Sequence, residues 1–223
     1  GAARMAERPT YDSKIETVTA CGADLQLRSL ADLNQYADAD GAAAREGISP
    51  EMWPVFGRLW PSARVLAHHM AVYPLGGQRI LEVGCGLALA SLIVHRRAGD
   101  VTASDCHPLV PEFLARNLAL NLLGAMPYQA ANWARPSPTL GRFDLIIGSD
   151  VLYERLPSAH LSRFLGEHLE GDGQILLVDP NRGERARFSR AMDDLGFGVT
   201  TTAVAHAPGL AERYRGRLLR YAR

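Results

Sequence analysis

The sequence predicts a doubly wound α/β fold: a mostly parallel sheet with helices on both faces and an antiparallel hairpin at its C-terminal end. Three observations carry this. From Arg79 onward, short apolar stretches alternate with helix-length segments at 88–97, 108–122, 157–169 and 184–195, and strands separated by helices pair in parallel. The stretch Leu145-Ile146-Ile147 is apolar without alternation, as a strand covered on both faces requires. Segments 197–205 and 217–221 follow one another without a crossover helix, so they are expected to pair antiparallel.

Ahead of that alternation, 14–19 and 24–30 show partial two-residue periodicity around Cys21-Gly22, which predicts a β-hairpin covering one edge of the site. Segment 33–47, rich in Ala and Asp, is compatible with a short helix or a mobile lid. Ser49-Pro50 is a helix-start signal, and Pro61 opens a second helix with Val65, Leu66, His69 and Met70 on related faces. Trp53, Phe56 and Trp60 then cluster at the approach to the core. Further on, Gly171-Asp172-Gly173 turns into a strand at 174–179. With 223 residues and 47% hydrophobic content, the expectation is one domain, 1–223, with an extension at 1–50 ahead of a core at 51–223.

Chemistry concentrates at strand ends. Arg79-Ile80-Leu81-Glu82-Val83-Gly84-Cys85-Gly86 is an apolar run closing in Glu-x-Gly-x-Gly, where bare glycines let a ligand approach backbone N–H groups and the following helix directs its positive end at the same space. No Lys follows, so a P-loop is excluded. A dinucleotide fingerprint needs glycine at position 89, which is Leu89, and Glu82 would meet the pyrophosphate with like charge. S-adenosylmethionine is cationic and lacks phosphate, so a carboxylate beside the turn attracts it. The same residues also describe an ordinary tight strand-to-helix turn.

Asp105 ends the next strand candidate, 101–105, and lies 23 positions after Glu82, near the spacing at which an acid meets ribose hydroxyls in a βαβ unit. It also precedes Cys106-His107-Pro108, which suits a helix N-cap. Ser149 and Asp150 fall at the C-terminal end of the 145–147 strand, where open α/β sheets bind ligands.

Leu59-Trp60-Pro61-Ser62-Ala63, Leu81-Glu82-Val83-Gly84-Cys85-Gly86, Asn132-Trp133 and Ser149-Asp150-Val151-Leu152-Tyr153-Glu154 together resemble the class I, seven-stranded S-adenosylmethionine-dependent methyltransferases. Within these the chain is most similar to the branch of protein-lysine methyltransferases and their bacterial relatives. The resemblance implies a Rossmann-like methyltransferase sheet of seven strands and a cofactor site formed by Trp60, Glu82, Gly84, Cys85, Gly86, Asp105, Cys106, Asn132, Trp133 and Ser149. It places Asp150 and Tyr153 at the methyl-accepting mouth. One departure is Asn132, where the family often has Asp.

The activity implied is N-methyl transfer from S-adenosylmethionine, releasing S-adenosylhomocysteine, with a protein lysine as acceptor. A small-molecule amine acceptor, or a cofactor-binding module that regulates a partner without turnover, are the other readings. Lys+Arg and Asp+Glu are both 24, so nothing demands nucleic acid. Cys21, Cys85 and Cys106 form no Cys-x-x-Cys pair, and the neighbours His68 and His69 point in different directions on a helix; a cytoplasmic protein without a metal is expected. No apolar run approaches the roughly 20 residues that span a bilayer, and no signal-peptide pattern opens the chain, so no membrane association is expected.

Overall fold

The computed structural model describes residues 10–20, 22–153, 158–207 and 209–223. Cys21 of the expected hairpin turn, Glu154 of the Ser149-to-Glu154 motif and Pro157, the expected start of a helix, lie outside them. In chain order, the hairpin strands β1 (Ser13–Ala20) and β2 (Ala23–Leu30) precede helix α1 (Ala42–Arg45), a 3-10 turn at Trp53–Gly57 and helix α2 (Pro61–Val72). There follow β3 (Arg79–Glu82), α3 (Leu89–Arg96), β4 (Asp100–Asp105), α4 (Val110–Leu120) and β5 (Tyr128–Ala130). The second half is β6 (Phe143–Ser149), α5 (Ser158–His168), β7 (Leu169–Asp179), α6 (Arg185–Asp194), β8 (Gly198–Val204) and β9 (Gly216–Ala222). Among the described residues no helix is long and apolar enough to cross a membrane.

Seven strands form the main sheet in the order β5-β4-β3-β6-β7-β9-β8. The first five run parallel, and β9 pairs antiparallel with both β7 and β8, as expected. Because successive crossovers lead outward from β3 in one direction and from β6 in the other, the strand order reverses between them. A crevice therefore opens beyond their C-terminal ends. The apolar runs explain the layering: on β6, Leu145 and Ile147 join the core under α2, α3 and α4, while Ile146 joins the core under α5 and α6. On β7, Leu176 and Val178 face the first core, and Ile175 and Leu177 the second.

Two expectations are corrected and one strand is added. Gly171-Asp172-Gly173 is not a turn: β7 starts at Leu169, which pairs with Phe143, and a register irregularity between Phe143 and Leu145 absorbs the glycines within the strand. Strand β5 went unrecognised because three residues carry no periodicity; only pairing with β4 makes it a strand. The segment after Ser49-Pro50 forms a 3-10 turn rather than a full helix.

The hairpin forms as predicted, yet its hydrogen bonds run to α4 rather than to the site. Asn117 Oδ1 accepts from Arg28 N at 2.7 Å and its Nδ2 donates to Arg28 O at 3.2 Å. One helical turn later, Asn121 makes the same pair with Gln26 N and O, each at 2.8 Å. Four helical residues rise about 6 Å and two strand residues about 6.6 Å, so the two amides match alternate peptide units and serve β2 as a missing strand would. Asn117→Leu should therefore destabilise the protein by about 1–2 kcal/mol, because a half-buried peptide N–H and C=O lose their partners. Urea denaturation checks this; an unchanged midpoint would contradict it.

Candidate active site

Three carboxylates meet at the crevice from three strand ends. Glu82 closes β3 and is 2% exposed. Its Oε1 accepts from Ser91 Oγ at 2.6 Å and from Ser91 N at 3.1 Å, so the first turn of α3 holds it. Burial is the main cause that raises its pKa to about 7, with the Ser91 bonds opposing and Asp105 adding to the rise. A buried carboxylate so poorly compensated is what a cationic ligand would relieve.

Asp105, at the end of β4, links two turns. Its Oδ2 accepts from Gly86 N and its Oδ1 from His107 N, both at 2.9 Å. Burial raises its pKa, and these backbone donors oppose the rise. The capping expectation is not met: the Asp105 bond goes to His107, while α4 begins only at Val110, with Leu109 at its N-cap and no side-chain bond there. His107 itself is a core residue: its ring lies 4.0 Å from that of Phe56, its Nδ1 accepts from Leu109 N, and burial pushes its pKa down to about 4.

Between these acids the glycine turn follows a path that side chains oppose. Gly84 has φ 56° and Gly86 φ 53°. A Cβ on Gly84 would stand 3.0 Å from Val151 Cγ1 and 3.3 Å from Trp133 Cζ2; one on Gly86 would stand 3.1 Å from the Phe56 carbonyl. The loop is anchored by Val83 N to Ile147 O and by Cys85 N to Ser104 O, at 2.9 and 3.0 Å. Cys85 is buried, its thiol pushed well up by burial. Burial likewise pushes the Cys106 thiol up to about 12. Neither thiol is poised as a nucleophile.

Asp150 forms the third corner. It takes a left-handed conformation, φ 54°, just beyond β6, with its N–H donated to Val178 O at 2.9 Å. Asp tolerates this region better than most residues. Its Oδ1 lies 3.0 Å from Arg182 Nη1. Burial raises its pKa, Arg182 opposes, and Asp179 adds to the rise. Tyr153 is half-buried; burial first, then Asp150 and Asp105, hold its hydroxyl protonated.

The structure thus gathers Glu82, Gly84, Gly86, Asp105, Trp133, Asp150 and Tyr153, with Ser149 half-buried at the end of β6. Asn132 is spoken for: its Nδ2 donates to Glu46 O and Oε2, and Arg135 pairs with the same Glu46 carboxylate at 3.1 Å. That docks the α1 segment on the β5 side of the crevice. Trp60 parts from Trp53 and Phe56, which touch edge to face; its indole N–H donates to Val55 O at 2.9 Å, and Arg58 and Arg182 flank its ring. Sequence reasoning missed Ser91 and Glu46. For Ser91 a signal existed, a hydroxyl in the first turn of the helix that follows the acid.

The cradle fits its expected ligand. Left-handed glycines without side chains, a buried acid on one side and a second acid on the other favour a cationic nucleoside and disfavour a pyrophosphate. Fold and site together define the class I S-adenosylmethionine-dependent methyltransferases. A family profile described as lysine methyltransferase matches residues 52–193, and the chain belongs to that family. The chain is 29% identical over 156 residues to the calmodulin-lysine N-methyltransferase of Arabidopsis thaliana, covering 64% of this chain and 51% of that protein. It is 33% identical over 103 residues to the histone-arginine methyltransferase METTL23 of Xenopus laevis, covering 43% and 44%. The chain therefore spans about half the length of these curated relatives. Among solved structures, the Thermus thermophilus 16S rRNA methyltransferase RsmC, in complex with AdoMet and guanosine, superposes with a TM-score of 0.62 at 15% identity, covering 96% of this chain and 51% of that one. At that identity the likeness establishes the fold.

Proposed function

We propose that this protein transfers the methyl group of S-adenosylmethionine to a nitrogen, the side-chain amine of a lysine in a protein substrate. Asp150 is the observation that carries the acceptor assignment: a mostly covered carboxylate, beside the glycine cradle, already paired with a cation. Membership of the lysine methyltransferase family supports the same acceptor. On this reading the catalytic core is 51–223, the extension 1–50 docks on it through β2 and Glu46, and the setting is cytoplasmic.

Glu82 would receive the amino group of the cofactor's methionine part and Asp105 its ribose, with Gly84 and Gly86 leaving room for the backbone approach and Trp133 lining the adenine side. S-adenosylmethionine supplies a methyl carbon made electrophilic by its sulfonium. An amine nitrogen held behind that carbon would take the methyl group, and the sulfur would keep the electron pair of the broken C–S bond. A lysine amine has a pKa of about 10.4 and arrives as ammonium, so it must lose a proton to solvent water before attack. Asp150 orients the ammonium, and the protonated Tyr153 hydroxyl positions the nitrogen in line.

Calorimetry with cofactor and product, followed by transfer of radiolabelled methyl to lysate proteins and to a metabolite extract, tests this reading. The expected result is label in protein, recovered as methyllysine on hydrolysis. Label confined to the metabolite fraction would replace the acceptor, and binding without transfer to either fraction would make the protein a cofactor-binding regulator.

A further inference from the structure

Arg182 is not part of the reading above, yet it occupies the place that reading reserves for the substrate. It lies in the turn between β7 and α6, where Asn181 (φ 69°) and Gly183 (φ 101°) adopt left-handed conformations that bend the chain back toward the crevice. Asp179 Oδ2 accepts from Asn181 N at 3.0 Å and steadies the bend. From there the guanidinium reaches Asp150 Oδ1 at 3.0 Å, and its central carbon stands 5.8 Å from the centre of the Trp60 ring. The Asp150 side chain is 10% exposed and that of Arg182 is 52% exposed, so the cation sits on the solvent side of a nearly covered acid.

Three properties follow. The Trp60 ring is fixed by its N–H bond to Val55 O and already carries Arg58 at 4.3 Å, so its surroundings accept guanidinium groups in the manner of a cation–π contact. An external cation reaching Asp150 while Arg182 stays would face like charge within a few ångström. Arg182 is also easily displaced, because an ion pair with one partner half in water is weakly held.

We propose that Arg182 is an internal stand-in for the acceptor: its guanidinium holds the position on Asp150, beside Trp60, that the acceptor's cationic side chain takes, and an acceptor binds by displacing it. Arg182 thereby sets acceptor affinity and favours long cationic side chains able to replace it at a recessed carboxylate. This deepens the methyltransferase reading, which supplies the acceptor.

The probe is n-butylammonium, a lysine side chain without its backbone, titrated into the full chain with and without S-adenosylhomocysteine and followed by NMR. Arg182→Ala and Arg182→Gln should each tighten its binding by about fivefold, since the fraction of molecules with Asp150 free rises. Arg182→Lys, which keeps a competing cation, should bind as weakly as the parent, and Asp150→Asn should remove the binding. A merely structural Arg182 would lower thermal stability without tightening the probe. Equal affinity in the parent, Arg182→Ala and Arg182→Gln overturns the proposal. A parent that does not bind S-adenosylhomocysteine overturns the methyltransferase reading instead, and the titration without it still decides the role of Arg182.

Discussion

Asp150→Asn is expected to slow methyl transfer about a hundredfold or more while leaving the dissociation constant for S-adenosylhomocysteine within about threefold. Asparagine is the informative replacement because it tolerates the left-handed backbone that Asp150 adopts, so the change removes charge without straining the turn. The carboxylate stands at the tip of β6, where its ion pair with Arg182 already shows it engaging a cation. The glycine turn and the acids of β3 and β4 are untouched. Single-turnover kinetics with saturating cofactor would read the effect, and an unchanged rate would remove Asp150 from the chemistry.

Glu82→Gln should weaken cofactor binding about tenfold or more, the scale of one charged hydrogen bond, and should flatten its pH dependence. Burial raises the folded-state pKa of Glu82 to about 7. A carboxyl raised above its unfolded value keeps its proton longer in the fold. Its contribution to stability is therefore fully present below about 4.5 and is lost as pH rises through about 7. A cationic ligand needs the ionised form, so affinity for the cofactor should rise with pH through the same window, with proton release on binding. Calorimetry of parent and variant from pH 6 to 8 separates this from titration of the cofactor's own amino group, which is common to both. Identical pH profiles would contradict the assignment.

Much of this site was legible because the chemistry of an α/β crevice sits at strand ends. Glu82 and Asp105 end β3 and β4, Asp150 directly follows β6, and the Gly84-Cys85-Gly86 turn needs no partner to be recognised. What stayed hidden depends on side chains arriving from distant parts of the chain. Glu46 joins Asn132 across 86 residues, and Arg182 joins Asp150 from the end of a neighbouring strand. No periodicity announces such contacts. Strand β7 shows the same limit in the backbone: Gly171 and Gly173 signal a turn locally, but the pairing of Leu169 with Phe143 outweighs that preference. The hairpin was readable as a hairpin, whereas its partner was not, because the matching of Asn117 and Asn121 to β2 exists only once helix and strand lie side by side.

Titration of S-adenosylhomocysteine into the parent protein by calorimetry tests the central claim most directly, since the roles given to Glu82, Asp105 and the glycine turn presuppose an adenosyl amino acid between the ends of β3 and β4. One site per chain, abolished or strongly weakened in Glu82→Ala and in Asp105→Ala, is the predicted result. No heat of binding, or a site filled in preference by a pyrophosphate-bearing dinucleotide, would contradict it.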